Sequence, residues 1–403
     1  MPSERNPTSP INCDANGTFG LVPGVCAAVA EESASWGNPS SVHQAGQRAR
    51  AVIEEARDAV REIVGAGPRD AVVWTSGATE ANNLALRGFA QGALRKVIVS
   101  SPFEHPSVLE TVRHLGDHDG WSIRLLPVLG HELSLEKLAE IIDGAGIISV
   151  MLANNETGVI YPIRSIVREI RKINPSAMIH VDAVQGVSRI PIAMAEWGVD
   201  AITLSGHKIG GLQGGGALVL RSGVLVEPEM TGGTQEEGMR AGTQPVAAIY
   251  SIHYALRWIA QHGGVAGRAA RMVANRKAFL EGVGKAGRVE PTVAPMIPTV
   301  PNTVSLRVPG VAADFLVVAA DLHGVLLSSG SACSSGTQRP SPVLLSAGLS
   351  QEVARETVRV SVTDDPDTER FYQAGAIVAE CIERLKGRAS CSHGKEGSVG
   401  SMS

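Results

Sequence analysis

Asp200-Ala201-Ile202-Thr203-Leu204-Ser205-Gly206-His207-Lys208 reads as an apolar β-strand that ends on a lysine. Glycines at 210, 211, 214, 215 and 216 follow it with pliable backbone. The end of an apolar strand is a poor place for a solubilising charge. It suits an amine held partly out of water, because desolvation disfavours the ammonium form and frees the nitrogen as a nucleophile. Such an amine forms an imine with an aldehyde cofactor, which points to pyridoxal 5'-phosphate (PLP) on Lys208.

Outward from that strand, short apolar runs at 71–74, 97–99, 147–152 and 178–181 alternate with amphipathic segments such as 163–173. Val42, Ala45, Ala49, Val52, Ile53, Ala56, Val60 and Ile63 recur at helical spacing, and Gly65-Ala66-Gly67-Pro68 ends that helix. Short strands separated by helices predict an α/β domain with a mainly parallel sheet covered on both faces. The pattern changes after about Gly263. A long helix (265–283), a proline-rich stretch, a strand (303–306), a helix (313–322), a Ser/Gly-rich loop (328–336), a strand (357–362) and a last helix (368–385) predict a smaller α+β domain. Residues 387–403 are rich in Gly and Ser and are expected to be disordered.

The chain has 403 residues and is 44% hydrophobic, enough for two domains. A net charge of -4 and 4% aromatic residues give no footing for nucleic acid or an anionic membrane. No run reaches membrane-spanning length, and the polar start Met1-Pro2-Ser3-Glu4-Arg5 has no apolar signal core, so a cytoplasmic location is expected. The five cysteines form no C-x-x-C pair, so neither a disulfide framework nor a metal site is expected. Cys13, Cys26 and Cys381 adjoin apolar residues and read as structural, whereas Cys391 falls in the tail.

Several polar groups sit where strands end. Thr75-Ser76-Gly77-Ala78-Thr79-Glu80-Ala81-Asn82 joins a strand to a helix, a junction whose N–H groups and dipole favour a phosphate, although the same pattern also serves as a plain helix cap. Asp182, in His180-Val181-Asp182-Ala183-Val184-Gln185, either holds a proton on a pyridine nitrogen, with Gln185 near the ring hydroxyl, or caps the next helix. His105 either stacks on a cofactor ring and moves protons or is a surface residue before a helix. Asn155 either bonds a ring hydroxyl or substrate carboxylate or belongs to a turn. Arg359 on its strand suits bidentate grip of a carboxylate or is an edge charge. Cys333 lies among Ser, Gly and Ala residues that cannot pack a core. That thiol is either a mobile nucleophile or an incidental surface group.

Together and in this order, these residues resemble the cysteine desulfurases of the iron–sulfur cluster and nitrogenase-maturation type, PLP enzymes of the class V aminotransferase superfamily. The resemblance runs from about Asp14 to Lys386. It is most specific at Trp36-Gly37-Asn38-Pro39-Ser40-Ser41-Val42-His43, 75–83, 205–208 and 328–336. It implies PLP fold type I, with a mainly parallel seven-stranded sheet in a large domain (15–262) and a small domain (1–14 with 263–386). It implies that Lys208 binds the cofactor and that Ala78, Thr79, Ser205 and His207 hold the phosphate. His105 would stack on the ring, Asp182 would pair with its nitrogen, and Asn155 and Gln185 would contact its oxygen. Arg359 and Asn155 would hold the L-cysteine carboxylate. Thr243 would reach the phosphate of the partner in a homodimer. Cys333 would take the sulfur as a persulfide and pass it to an acceptor protein, leaving L-alanine.

The chain departs from the family pattern at Asp14-Ala15-Asn16-Gly17-Thr18-Phe19, at Gly210-Gly211-Leu212-Gln213-Gly214 and at Gln244-Pro245. Rival expectations are a selenocysteine lyase, another class V aminotransferase, for which Cys333 is superfluous, or a non-catalytic interaction protein that keeps the fold.

Overall fold

A computed structural model describes residues 10–330 and 340–393. Its residues form two compact units. One comprises Thr18–Asn155 and Val159–Arg268, the other Glu156–Gly158 with the described residues up to 17 and from 269 onward. The boundaries expected at 14/15 and 262/263 compare with 17/18 and 268/269 in the structure.

The larger unit is built on a seven-stranded sheet. Its strands in chain order are β1 (Ala71–Thr75), β2 (Val97–Ser100), β3 (Ser122–Leu125), β4 (Ile147–Ser149), β5 (Met178–Asp182), β6 (Ala201–Ser205) and β7 (Gly216–Leu220). The spatial order is β1-β7-β6-β5-β4-β2-β3. All neighbouring pairs are parallel except those that β7 makes with β1 and β6. The carboxyl ends of β1, β2, β4, β5 and β6 therefore share one edge, where ligands of open α/β sheets bind. The strands at the centre are buried on both faces, which is why they read as unbroken apolar runs.

The run at 147–152 is a strand only to Ser149. Beyond it, Val150 N–H and Leu152 N–H still donate to His180 and Asp182 carbonyls, so the segment continues along the sheet toward Asn155.

Helix α1 (Gln44–Val64) buries Ala49, Ile53, Ala56, Val60 and Val64. It starts at His43, whose Nδ1 accepts from Gly46 N–H at 3.2 Å, and ends at Gly65 in the left-handed conformation. Helix α2 (Ala78–Gly92) lays Ala81, Leu84, Ala85, Leu86 and Phe89 against the sheet. Helix α3 (Pro106–Asp119) buries Val108, Val112 and Leu115, and α4 (Ile163–Ile173) buries Ile163, Ile166, Val167 and Ile170. Helix α5 (Val246–Gln261) packs on α1.

The smaller unit has an antiparallel sheet of β8 (Glu290–Pro291), β9 (Thr303–Arg307) and β10 (Thr357–Ser361). Its core contains Phe279, Val283, Leu306, Leu316, Val358, Val360, Phe371 and Ile382. Gly282, on helix α6 (Gly264–Val283), meets Gly375 on helix α7 (Thr368–His393) back to back. A Cβ on Gly282 collides with Tyr372 O, and one on Gly375 with Phe279 O.

Helix α7 runs past Gly387, which corrects the expected break there. An interior glycine costs a helix only about 1 kcal/mol, too little to stop one this long. Cys13 and Cys381 are buried as expected, but Cys26 is exposed, on a short helix that buries only Val25. Among the described residues no helix is long and apolar enough to cross a membrane.

Candidate active site

The lysine-bearing turn sits at the carboxyl end of β6. Gly206–Lys208 forms a single 3-10 turn, and Lys208 is half-buried. Two neighbours fix this turn from behind. Phe19 N–H donates to His207 O at 3.1 Å, and Val22 N–H donates to Gly210 O at 2.9 Å. The glycines after the lysine are there for close approach. A Cβ on Gly210 comes within 2.7 Å of Val22 Cγ1, and its φ of 113° is itself unfavourable for other residues. Leu212 N–H donates to Ser251 Oγ on α5 at 2.9 Å.

The phosphate-type turn lies beside it. Gly216, the first residue of β7, pairs with Thr75 on one side and Ser205 on the other. A Cβ there lies 2.7 Å from Gly77 Cα, so only glycine lets residues 76–79 close in on the end of β6. Ser76 and Thr79 are exposed, Ala78 opens α2, and Ser205 is buried. His207 Nδ1 lies 3.2 Å from Thr18 Oγ1. Burial, with help from the charges of Lys208 and Arg189, pulls the His207 pKa down to about 4, so its ring is neutral near pH 7.

Asp182 ends β5 and is buried. Its Oδ2 accepts from Asn82 Nδ2 at 2.8 Å and its Oδ1 from Val184 N–H at 3.0 Å. The expected partner His105 is the N-cap of α3 rather than a residue before it. Its Nδ1 accepts from Ser107 N–H at 3.1 Å and lies 2.8 Å from Ser107 Oγ. Burial lowers the His105 pKa; the charge of Asp182 pulls the other way and that of Lys208 adds to the lowering. His105, Asp182 and Lys208 thus feel one another's charge. Gln185 is buried nearby in sequence, and Asn155 is half-buried in the turn that follows β4.

Glu104, Asn82 and Ser107 add to the site beyond the residues expected from the sequence. Glu104 is buried, accepts Met151 N–H, and is pushed well above the usual carboxylate range by burial and then by the charge of Asp182. Asn82 donates to both Asp182 and Ser107. The one available hint was Asn82 itself, a polar residue in the apolar face of α2, where a buried amide requires partners.

Thr243 is exposed, in a segment anchored by Glu236. Glu236 accepts from both Arg57 Nη atoms (2.8 and 2.9 Å), Trp74 N–H (2.9 Å) and Gln244 Nε2 (3.1 Å). Arg240 in the same segment pairs with Glu80 at 2.7 Å, and Glu80 also accepts Ser76 N–H. A groove of about 560 Å3 lined by Trp36, Tyr250, Tyr254 and Trp258 includes none of the candidate catalytic or cofactor-binding residues.

In the smaller unit Arg359 is buried at the middle of β10, and its Nη2 donates to Asp14 Oδ1 at 2.6 Å. It is not an exposed edge charge. The unusual segment at 14–19 thus engages two of the expected site residues, Asp14 with Arg359 and Thr18 with His207. Cys333 lies outside the described residues.

The donor set fits PLP. A buried carboxylate with one protein N–H on each oxygen suits a protonated ring nitrogen. The glycine-walled turn at a helix N-terminus suits a phosphate. The half-buried amine suits the aldehyde. A cofactor-bearing α/β enzyme with its site at the carboxyl edge of the sheet is the class defined by this fold. The model of the family described as aminotransferase class-V matches residues 11–369, and the chain belongs to that family, in its PLP-dependent cysteine desulfurase branch.

It is 38% identical over 362 residues to "Cysteine desulfurase IscS 1" of Archaeoglobus fulgidus, covering 87% of this chain and 91% of that one. Among solved structures, a "NifS-like protein" superposes with a TM-score of 0.83 at 28% identity, covering 94% of this chain and all of that one. A structure titled "SspA in complex with cysteine" superposes with a TM-score of 0.75 at 27% identity, covering 88% and 99%.

Proposed function

We propose that the chain is a homodimeric, cytoplasmic cysteine desulfurase that converts L-cysteine to L-alanine and transfers the sulfur through Cys333 to an acceptor protein. The observation that carries this reading is the grouping of Lys208, Asp182 and His105 at the carboxyl edge of one sheet, each within the electrostatic reach of His105. A relative named as a cysteine desulfurase, and a neighbour solved with cysteine, support the substrate.

Bound PLP supplies an electron sink for the pair left behind when the substrate Cα loses its proton. Lys208 Nζ would hold the cofactor and would take the proton from the substrate Cα. Asp182 would pair with the ring nitrogen. His105 would lie against the ring and assist proton return. Ala78, Thr79, Ser205 and His207 hold the phosphate from one subunit and Thr243 from the partner subunit, with Asn155 and Gln185 at the ring oxygen. Arg359 and Asn155 hold the substrate carboxylate. The Cys333 thiolate attacks the substrate Sγ. The Cβ–Sγ bond breaks with its electron pair going to carbon, which is protonated to the alanine methyl, and the sulfur remains on Cys333 as a persulfide.

The test is absorbance and sulfide release. Purified protein with PLP is expected to show a visible band and to release sulfide and alanine from L-cysteine under reductant. Cys333→Ala is expected to keep the band and lose sulfide release. A colourless protein after PLP addition would sink the cofactor reading, and sulfide release that survives Cys333→Ala would sink the persulfide step.

A further inference from the structure

We propose that Asn82 and Ser107 are positioning residues for the proton chemistry of this site: Asn82 orients the Asp182 carboxylate and the Ser107 hydroxyl together, and Ser107 confines the proton of His105 to Nε2. This rests on the reading of Asp182 and His105 as the cofactor's ring neighbours.

Asn82 is fully buried on α2. Its Nδ2 lies 2.8 Å from Asp182 Oδ2 and 2.8 Å from Ser107 Oγ, so its two amide hydrogens are both committed. The Asn82 Oδ1 that results is buried and has no hydrogen-bond partner. Turning the amide over does not relieve this. It brings Oδ1 against the Asp182 carboxylate, acceptor against acceptor, in a fully buried place. An unsatisfied neutral carbonyl costs less than the loss of a hydrogen bond to a carboxylate with repulsion put in its place. Asp182 therefore dictates which way Asn82 points.

The consequence passes to Ser107. Its Oγ accepts from Asn82, which leaves the hydroxyl hydrogen for His105 Nδ1 at 2.8 Å. The backbone N–H of Ser107 also points at Nδ1, at 3.1 Å, and cannot rotate away because it belongs to the first turn of α3. Nδ1 is therefore an acceptor for two donors, and the proton of the neutral ring sits on Nε2. The path Asp182–Asn82–Ser107–His105 crosses from β5 to α2 to α3, and ties the group that holds a proton on the ring nitrogen to the group that moves one above the ring. The charged groups that face His105 are Asp182 from β5 and Lys208 from the turn after β6.

The test uses the full chain with 15N-labelled histidine, read by two-bond 1H–15N correlation with and without PLP. Wild type is expected to show His105 only as the Nε2–H form. Ser107→Ala should move the Nδ1 resonance toward that of an unbonded ring nitrogen, and Ser107→Thr should restore it. Asn82→Ala should move it the same way. The double variant should move it no further than Ser107→Ala, because the two groups act in series. Asn82→Ala is also expected to lower kcat by roughly tenfold, the equivalent of one charge-assisted hydrogen bond, with KM for cysteine little changed. An Nδ1–H form in wild type, additive shifts, or a Ser107→Ala signal identical to wild type would each overturn the proposal. If Asn82→Ala does not fold, the two Ser107 variants decide. If the protein binds no PLP, the proposed function fails, while the His105 signal of the unloaded protein still tests the relay.

Discussion

Glu104 is the residue whose behaviour departs furthest from its type. It is buried, accepts Met151 N–H, and is pushed well above the usual carboxylate range by burial first and then by the charge of Asp182. Glu104→Gln should be more stable than wild type in urea unfolding at pH 7, because the unfolded carboxyl is ionised there and folding opposes that charge, whereas Glu104→Ala, which leaves Met151 N–H unpaired, should be less stable than Glu104→Gln by about 1–3 kcal/mol. The raised carboxyl also has a sign in pH: its stabilisation is full below the unfolded-state pKa and is lost as pH rises through the folded value, so the advantage of the Gln variant over wild type should grow as the pH rises above about 4.5. Lys208, Asp182 and His105 were legible in the sequence because each is a polar residue set where an apolar strand has just ended. Glu104, Asn82 and Ser107 were not, because each acts on a residue from a different element, and no local pattern records that contact.

The elements hold together through a few clamps, of which Asp200 is the most concentrated. It is buried at the start of β6 and accepts from Arg171 (2.6 Å), from Arg221 Nε (3.0 Å) and Nη2 (2.5 Å), and from Ile179 N–H (2.7 Å). It fixes β5 and β6 side by side at the edge opposite the site, and so sets the register that places Asp182 opposite Thr203. Asp200→Ala leaves two arginines short of their acceptor and should destabilise the larger unit by about 3 kcal/mol or more in chemical denaturation. Element type and order were readable from periodicity for nearly every segment named above. The ends were less so: the strand from Ile147 stops at Ser149 and helix α7 continues past Gly387, because ladder pairing and helix packing, not composition, decide where an element ends.

Acid sensitivity belongs to the whole molecule, since it sums over every buried titratable group, and His180 is the clearest contributor. It is fully buried between Ser149 Oγ (2.9 Å) and Thr203 Oγ1 (3.0 Å) on neighbouring strands, and burial, only partly opposed by Asp182, pulls its pKa to about 4. The unfolded chain takes up this proton near pH 6.5, so between about 6.5 and about 4 the unfolded state binds more protons and stability falls as the pH falls. Glu104 changes in the opposite sense above pH 4.5, so wild type alone does not isolate the effect. The difference between wild type and His180→Gln does: wild type should lose roughly 3 kcal/mol more on going from pH 7 to pH 4. An equal slope in the two proteins would show that His180 is accessible to protons in the fold.

By itself the sequence determined the α/β architecture and the family, and it singled out Lys208, Asp182 and His105 as the candidates for the site. These depend on periodicity and on polar residues at strand ends, and both are local along the chain. Only the tertiary structure decided what surrounds Lys208: a turn backed by Phe19 and Val22, a glycine at 216 that lets the phosphate-type turn close in, and an amide at Asn82 that joins Asp182 to His105. Those contacts join residues far apart in the chain, and their geometry follows from strand order and register, which no single segment encodes.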